Sequence, residues 1–213
     1  MGKRVYGQYC GFARALELVG ERWALMIVRD LLVEPRRFSD LERSLFGIPP
    51  NILTARLKEM AEAGLVRRRA SPRPNGGTVY ELTEVGLELE PAVMALGRWG
   101  AKLLGNPRDG EILTADSLVV ALRATFHRKA ANGLNAIYEL HAGDIALHAQ
   151  IRNGRLTVNK GPSERCDLSI EVGPALRALL AHEITPQSAV KNGHVRLNGK
   201  RALFGRFVEI FHL

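Results

Sequence analysis

Apolar residues at helical spacing open the chain. Over Phe12–Val19 they recur every three or four residues, and Gly20 ends the run. The same spacing returns over Trp23–Leu32 and stops before Pro35. Because one face of a helix repeats every 3.6 residues, both stretches predict amphipathic helices.

Two shorter helices are predicted next. Ser39, with Glu42 three residues later, has the spacing of a capping box that begins a third helix. The turn at 47–50 contains two prolines, and Asn51 is predicted to cap a fourth helix that ends at Gly64.

A hairpin and a long helix complete the first half. Residues 65–70 and 78–82 read as strands joined by a Gly- and Pro-rich loop at 71–77. Thr83–Leu104 predicts a helix, and Pro91 should kink or interrupt it, since proline lacks the amide hydrogen. Two short helices around a turn, followed by a hairpin, are typical of a winged helix-turn-helix.

The second half mixes helices with alternating apolar and polar stretches, so the fold class is α+β with a mostly antiparallel sheet. The predicted strands are 136–140, 145–151, 156–158, 168–172 and 195–197, and the predicted helices are 116–127, 174–182, 186–191 and 200–211. The Gly- and Pro-containing segment near 105–110 marks a boundary, so we predict domains at 1–104 and 116–213 with a linker at 105–115.

Charge changes this picture in one region. The 213 residues carry a net charge of +8 and 46% hydrophobic residues, with no apolar run long enough to span a membrane. Within the first domain the excess lies in residues 36–82, where nine Lys and Arg face five acidic residues. The second half carries a further +4 without a DNA-binding pattern, and there we assign the charge to solubility.

The fourth helix is predicted to read DNA. Leu53, Leu57 and Met60 share one face and should pack inside, which turns the opposite face outward. That face carries Asn51, Thr54, Ala55 and Lys58. Such side chains can bond base edges or meet a thymine methyl group in the major groove.

Phosphate contacts are predicted from two flanks of that helix. On one side stand Arg36, Arg37 and the amide groups near Ser39, and on the other stand Arg67, Arg69, Arg73 and Asn75 of the hairpin. Phosphate contacts hold a protein on the duplex without reading its sequence. The alternative is that these are solvated charges on an ordinary helical domain.

Several stretches of this half resemble HxlR-type winged-helix transcription regulators. They include residues 15–23, 37–41, 48–57, 62–66 and 80–86. The resemblance implies a homodimer, paired through Phe12–Val19 and Thr83–Leu104, that binds double-stranded DNA at a pseudo-palindromic operator.

The two cysteines are too few for a disulfide framework, so we expect a cytoplasmic protein. Cys10 precedes the first helix, where several HxlR-type proteins sense oxidants, and a helix N-terminus favours a thiolate. This chain has Gly11 where the family usually has proline, and the alternative is a buried structural cysteine. Cys166 is expected in the core.

The last hundred residues resemble the sterol carrier protein type 2 module, in the stretches 176–190 and 193–199 and in the final helix. The resemblance implies a tunnel for an apolar or lipid-like effector. The predicted lining is Leu118, Leu122, Phe126, Ile137, Leu179, Leu180, Phe204, Phe207 and Phe211. For each of these residues, simple core packing is the alternative.

We find no pattern of a catalytic site, a metal site or a cofactor loop, and we expect a protein that is not an enzyme. The leading hypothesis is a dimeric transcription regulator with a ligand-sensing C-terminal domain. The alternative is a lipid or ligand carrier whose helical half serves dimerisation.

Overall fold

The computed structural model describes residues 5–71, 76–105, 107–173 and 175–213. The chain forms two compact units, Met1–Val93 and Met94–Leu213. The division lies inside the helix Glu90–Ala101, ahead of the predicted linker at 105–115. The predicted domain boundaries themselves stay a prediction.

The first half has the predicted order of helices and hairpin, and the winged helix-turn-helix is confirmed. Its elements are α1 (Gly11–Val19), α2 (Ala24–Val33), α3 (Phe38–Ser44), α4 (Pro50–Glu62), β1 (Val66–Ala70), β2 (Thr78–Leu82), α5 (Glu84–Leu87) and α6 (Glu90–Ala101). The two strands pair antiparallel, with Val66 opposite Leu82.

The predicted helix caps were wrong by two residues. Arg37 precedes α3, and its backbone N–H donates to the Asp40 carboxylate at 3.3 Å, so Ser39 lies inside the helix. Likewise Pro49 precedes α4, with Pro50 at the first helical position and Asn51 behind it. Proline suits that position because its missing N–H would have had no partner there.

Pro91 interrupts the helix predicted over Thr83–Leu104, as expected. The chain turns after α5 and starts again at Glu90, so Pro91 falls in the first turn of α6. The Thr83 hydroxyl accepts from the Gly86 N–H at 3.1 Å and caps α5. A β-carbon on Gly86 would lie 2.1 Å from the carbonyl oxygen of Leu65, the residue before β1. The backbone of α5 can approach Leu65 this closely only because residue 86 is glycine.

A carboxylate is buried in the core of the first half. Leu41, Leu53 and Ile27 are fully buried, and so is Asp30. Asp30 accepts from Arg29 Nε at 2.7 Å and from the Ser44 hydroxyl at 2.6 Å. These partners offset the cost of burying a charge. The bond from Ser44 also ties the end of α3 to α2.

The second half is α+β around one mostly antiparallel sheet. Its elements are α7 (Ala115–Thr125), β3 (Ala136–Ala142), β4 (Ile145–Arg152), β5 (Arg155–Lys160), β6 (Leu168–Val172), α8 (Leu176–Leu180), α9 (Pro186–Lys191), β7 (Val195–Gly199) and α10 (Leu203–Ile210). The strand order is β5-β4-β3-β6-β7, and β3 pairs with β6 in parallel. The predicted helix over 174–182 is shorter, and its first residue, Pro174, lies outside the described residues.

Aromatic rings fill the core beneath this sheet. Phe207 lies 4.8 Å from Phe211 and 5.3 Å from Tyr138 between ring centroids, and Phe126 lies 5.7 Å from Phe211. Cys166, by contrast, is exposed, so its expected place in the core was wrong. It precedes β6 at the end of a loop, before the alternation of buried residues begins.

None of the helices in the described part of the chain is long and apolar enough to cross a membrane. Among the same residues, no cluster of three or more His, Cys, Asp and Glu side chains is arranged to hold a metal ion.

Candidate nucleic-acid interface

Helix α4 has the two faces that its sequence predicts. Leu53, Leu57 and Met60 are buried with at most 2% exposure. On the other side Asn51, Thr54 and Lys58 are exposed, and Ala55 is half-buried at the edge. The helix therefore packs through its apolar stripe and offers a polar row to solvent.

Two of these polar residues have neighbours that leave them accessible. The Thr54 hydroxyl donates to the Pro50 carbonyl at 2.9 Å, within its own helix. Lys58 Nζ lies 3.9 Å from the Glu62 carboxylate, and 77% of the Lys58 side chain is exposed. An exposed pair at that distance contributes little, so Lys58 can leave Glu62 for another anion.

Arg56, on the same helix, is not part of that row. Its guanidinium contacts the Glu59 carboxylate at 2.6 Å, and only 12% of its side chain is exposed. Its guanidinium is therefore used in an ion pair within α4 and is not part of the exposed polar surface.

The flank before α3 contributes less surface than predicted. Arg36 is 12% exposed at its side chain, contacts Glu34 at 3.2 Å and bridges to Tyr80 through its backbone. Arg37 donates from Nη2 to the Gly76 carbonyl at 2.7 Å and so holds the turn of the hairpin. Ser39 is exposed. Of the two arginines, Arg36 lies too deep to be an evident phosphate contact.

The hairpin arginines are held by one carboxylate, an arrangement that charge counting missed. Arg67 Nε and Arg69 Nε donate to the two oxygens of Glu81 at 2.8 and 2.7 Å. The hydrogen bonds from Arg69 and then Arg67 lower the pKa of Glu81. Alternation in β1 places both arginines on one face, beside Glu81 in the opposite strand, as the sequence predicts for the arginines.

Arg68 points to the other face of the same strand. Its guanidinium lies 5.7 Å from the centroid of the Tyr80 ring, a cation–π contact that sequence reasoning did not identify. The register that pairs Arg68 with Tyr80 is the only signal that could have revealed it. Arg73 and Asn75, the two residues predicted at the hairpin tip, lie outside the described residues.

Cys10 is exposed at the N-terminus of α1. Hydrogen bonding from the backbone amides of Ala13 and Phe12 lowers the pKa of its thiol. Arg14, the cation considered from the sequence, contacts Glu17 at 2.9 Å instead. The buried alternative is wrong, and the sensing role stays a prediction.

In the second half, the residues predicted to line an apolar tunnel belong to the packed core. Seven are buried, and Phe126 and Ile137 are half-buried. Two surface cavities, of about 1120 and about 570 Å³, lie elsewhere; the larger has a mixed polar and apolar lining, and the smaller is lined by polar residues. The effector tunnel stays a prediction.

Known proteins are similar to this chain in its first half. The HxlR-like helix-turn-helix family model matches residues 18–107. An uncharacterized HTH-type transcriptional regulator of Mycobacterium tuberculosis is 41% identical over 107 residues, which are 50% of this chain and 66% of the relative. The chain thus spans slightly less than two thirds of that relative's length.

Two other relatives align with the same half. An uncharacterized HTH-type transcriptional regulator of Halalkalibacterium halodurans is 35% identical over 96 residues, 45% of this chain and 85% of the relative. The structure of the reduced form of the transcriptional regulator YodB from Bacillus subtilis is 28% identical, with a TM-score of 0.40 over 45% of this chain and 94% of that one. On its sequence relatives and its family match, this chain belongs to the HxlR-like helix-turn-helix family.

Proposed function

We propose that the protein is a DNA-binding transcription regulator and not an enzyme. The observation that carries this proposal is the polar outer row of α4, exposed opposite the buried Leu53, Leu57 and Met60. A helix that is held from one side and polar on the other can enter the major groove. The family membership and the names of the relatives support the same function.

In this proposal the residues divide into two roles. Asn51, Thr54 and Lys58 face base edges, where amide, hydroxyl and ammonium groups can distinguish bases. Arg67 and Arg69 meet backbone phosphates, with Glu81 holding both guanidinium groups in place before DNA arrives. Arg36 is left out because of its burial.

The proposal includes a homodimer on a pseudo-palindromic operator, paired through Phe12–Val19 and Thr83–Leu104. Both segments expose large apolar side chains, which a partner copy would cover. The exposed ones are Phe12, Val85, Leu87, Leu96, Trp99, Leu103 and Leu104. Exposed apolar surface of this kind is a common sign of an interface.

An apolar effector is a further part of the proposal, inherited from the resemblance of the second half to a lipid carrier. Because Phe207 and Phe211 are packed ring to ring, an effector would have to part them to enter. Native mass spectrometry of the purified protein tests this and the dimer together, since it reports the mass of the assembly and of any bound molecule.

Gel shifts with the DNA upstream of the gene test the central claim. Lys58→Ala should weaken binding about tenfold, since a base or phosphate contact contributes about 1–3 kcal/mol. Lys191→Ala is the matched control, because Lys191 is an exposed lysine on the short helix α9. Equal affinities for the two variants at moderate salt would remove α4 from the interface.

A further inference from the structure

A second basic surface lies on the hairpin formed by β4 and β5. Gln150 pairs with Thr157 and Arg152 pairs with Arg155, directly across the two strands. Because side chains alternate along a strand, these four residues share one face. Ala149, Ile151 and Val158 occupy the opposite face and are buried in the core.

A third arginine reaches the same place from another part of the chain. Arg128 follows α7, and a β-carbon added at Gly154 would lie 3.8 Å from its Cγ, so its stem packs beside the hairpin turn. Asn153 and Gly154 both have positive φ, and the Asn153 N–H donates to the Asn135 side chain at 3.2 Å. These contacts fix the turn between the arginines.

The three arginines surround a concave site, which we call the arginine cavity. Its lining is Arg128, Gln150, Arg152, Asn153, Arg155 and Thr157, and its volume is about 570 Å³. The lining contains no acidic residue. A volume of this size is in the range of small-ligand sites.

None of the ion pairs found among the described residues involves Arg128, Arg152 or Arg155. Two carboxylates of the same unit have other partners: Asp116 contacts Lys160 at 2.5 Å, and Glu209 contacts Arg206. Like charges directly opposite each other on paired strands repel and lower the stability of the fold. Arg152 and Arg155 are such a pair. An anion between them would remove that repulsion.

One of the three guanidinium groups is already oriented. With the Gln150 side-chain amide turned so that its oxygen faces Arg152, that oxygen accepts from Nε and Nη2 of Arg152 at 3.0 and 2.9 Å. This uses one edge of the planar group and leaves the other edge for a ligand. A guanidinium with an open edge can bind a phosphate through two parallel hydrogen bonds.

In the larger cavity of the same unit, by contrast, the arginines have carboxylate partners. It is lined by Arg177 and Arg196 among other residues. Arg177 donates to the Glu183 carboxylate at 2.7 Å, and Arg196 lies 3.6 Å from Glu171. Its cations are therefore already balanced by carboxylates, and the arginine cavity is the stronger anion site.

We propose that the arginine cavity binds the phosphate groups of a small phosphorylated ligand. Three positive charges and no carboxylate in the lining favour an anion with more than one negative charge, such as a diphosphate. The concave shape and the Gln150, Asn153 and Thr157 side chains suit a small molecule more than an extended backbone. The cavity lies within the second half and shares no residue with the proposed DNA-binding surface.

Calorimetric titration of the full chain with inorganic pyrophosphate at low salt tests the proposal. Wild-type protein should bind, and Arg152→Gln and Arg155→Gln should each weaken binding about tenfold, since each variant loses a charge-assisted hydrogen bond to the ligand. The triple variant with Arg128→Gln added should show no binding. All three side chains are exposed, so the variants should fold, and circular dichroism checks this.

The control is a triple variant of equal charge, Arg165→Gln, Lys191→Gln and Arg201→Gln, at exposed positions outside the cavity. It should bind pyrophosphate like the wild type. No binding by the wild type at millimolar pyrophosphate, or equal loss in both triple variants, would overturn the proposal.

A DNA arm separates a ligand site from a backbone contact. The affinity of a mixed-sequence duplex and its salt dependence should be the same in the cavity variant and the control. If the cavity variant instead lowers the salt slope, by up to about three for three lost phosphate contacts, the site binds DNA backbone and the small-ligand proposal is wrong. Wild-type protein that binds no DNA would refute the regulator function. The pyrophosphate titration would still decide whether the arginine cavity is a phosphate site.

Discussion

Two hairpins of this protein carry arginines on one face, and they differ in whether a carboxylate holds those arginines. In the β1–β2 hairpin, Arg67 and Arg69 both donate to Glu81. In the β4–β5 hairpin, Arg152 and Arg155 stand opposite one another with no carboxylate among the residues that line their cavity. The first set is ordered by the protein itself, and the second has its charge available to a ligand.

The difference shows that the number of cations in a segment says little about their availability. What decides it is the residue across the strand, since cross-strand neighbours are the closest side chains in a sheet. The sequence alone assigns the positive charge of the second half to solubility, yet three of its arginines converge on one cavity.

The largest expected effect concerns how each hairpin is anchored. Gly86→Ala places a β-carbon 2.1 Å from the Leu65 carbonyl oxygen, at the base of the β1–β2 hairpin, and should lower the free energy of unfolding by about 3 kcal/mol. Gly154→Ala, in the turn of the other hairpin, meets only 3.8 Å contacts but has a φ of 70°, and should cost about 1 kcal/mol. Urea denaturation measures both, and equal losses would contradict the steric argument.

Removing the shared carboxylate should make the first hairpin resemble the second. Glu81→Gln leaves Arg67 and Arg69 without their partner and should lower the free energy of unfolding by about 1 kcal/mol, as expected for two partly exposed ion pairs. Affinity for mixed-sequence duplex DNA should rise, because the hairpin gains a net positive charge. A fall in affinity at unchanged fold would mean that the order imposed by Glu81 matters more than charge.

The reverse change should make the second hairpin resemble the first. Thr157→Glu places a carboxylate on the face of Arg152 and Arg155 and should raise the free energy of unfolding by about 0.5 kcal/mol. It should also abolish pyrophosphate binding in the arginine cavity. Thr157→Gln is the uncharged control, and stabilisation by Gln to the same extent would show that charge is not the cause.

The smallest expected effect is a difference in pH dependence. The arginines lower the pKa of Glu81, so its contribution to stability is complete above the unfolded-state value of about 4.3 and is lost as pH falls through the lowered folded-state pKa. Wild type and Glu81→Gln should therefore differ most at about pH 6 and converge under strong acid. A difference that persists at low pH would show that the two ion pairs are not its source.

Much of the fold was predictable because its signals are local. Helical spacing identified α1, α2 and α4, the Gly- and Pro-rich loop at 71–77 identified the first hairpin, and alternation identified the strands of the second. The caps at Ser39 and Asn51 were misplaced because Asp40 accepts from the Arg37 N–H and Pro50 takes the first helical position, so both helices begin earlier. One motif does not resolve this competition between neighbouring residues.

The candidate sites were predictable only in part. The outer row of α4 follows from periodicity, and the structure exposes Asn51, Thr54 and Lys58 as expected. The burial of Arg36 and the packing of Phe207 against Phe211 depend on segments distant in sequence, so no local pattern could reveal them.

The sequence by itself determined the order of elements, the helix-turn-helix family and the polar face of α4, because each depends on residues within a few turns of one another. Only the tertiary structure decided which arginines have partners. Glu81 is 12 and 14 residues from Arg69 and Arg67, and Arg128 reaches the turn at Gly154 from the far end of α7. Strand register and tertiary packing bring such groups together. The energy of each charge then depends on which charged and polar groups surround it.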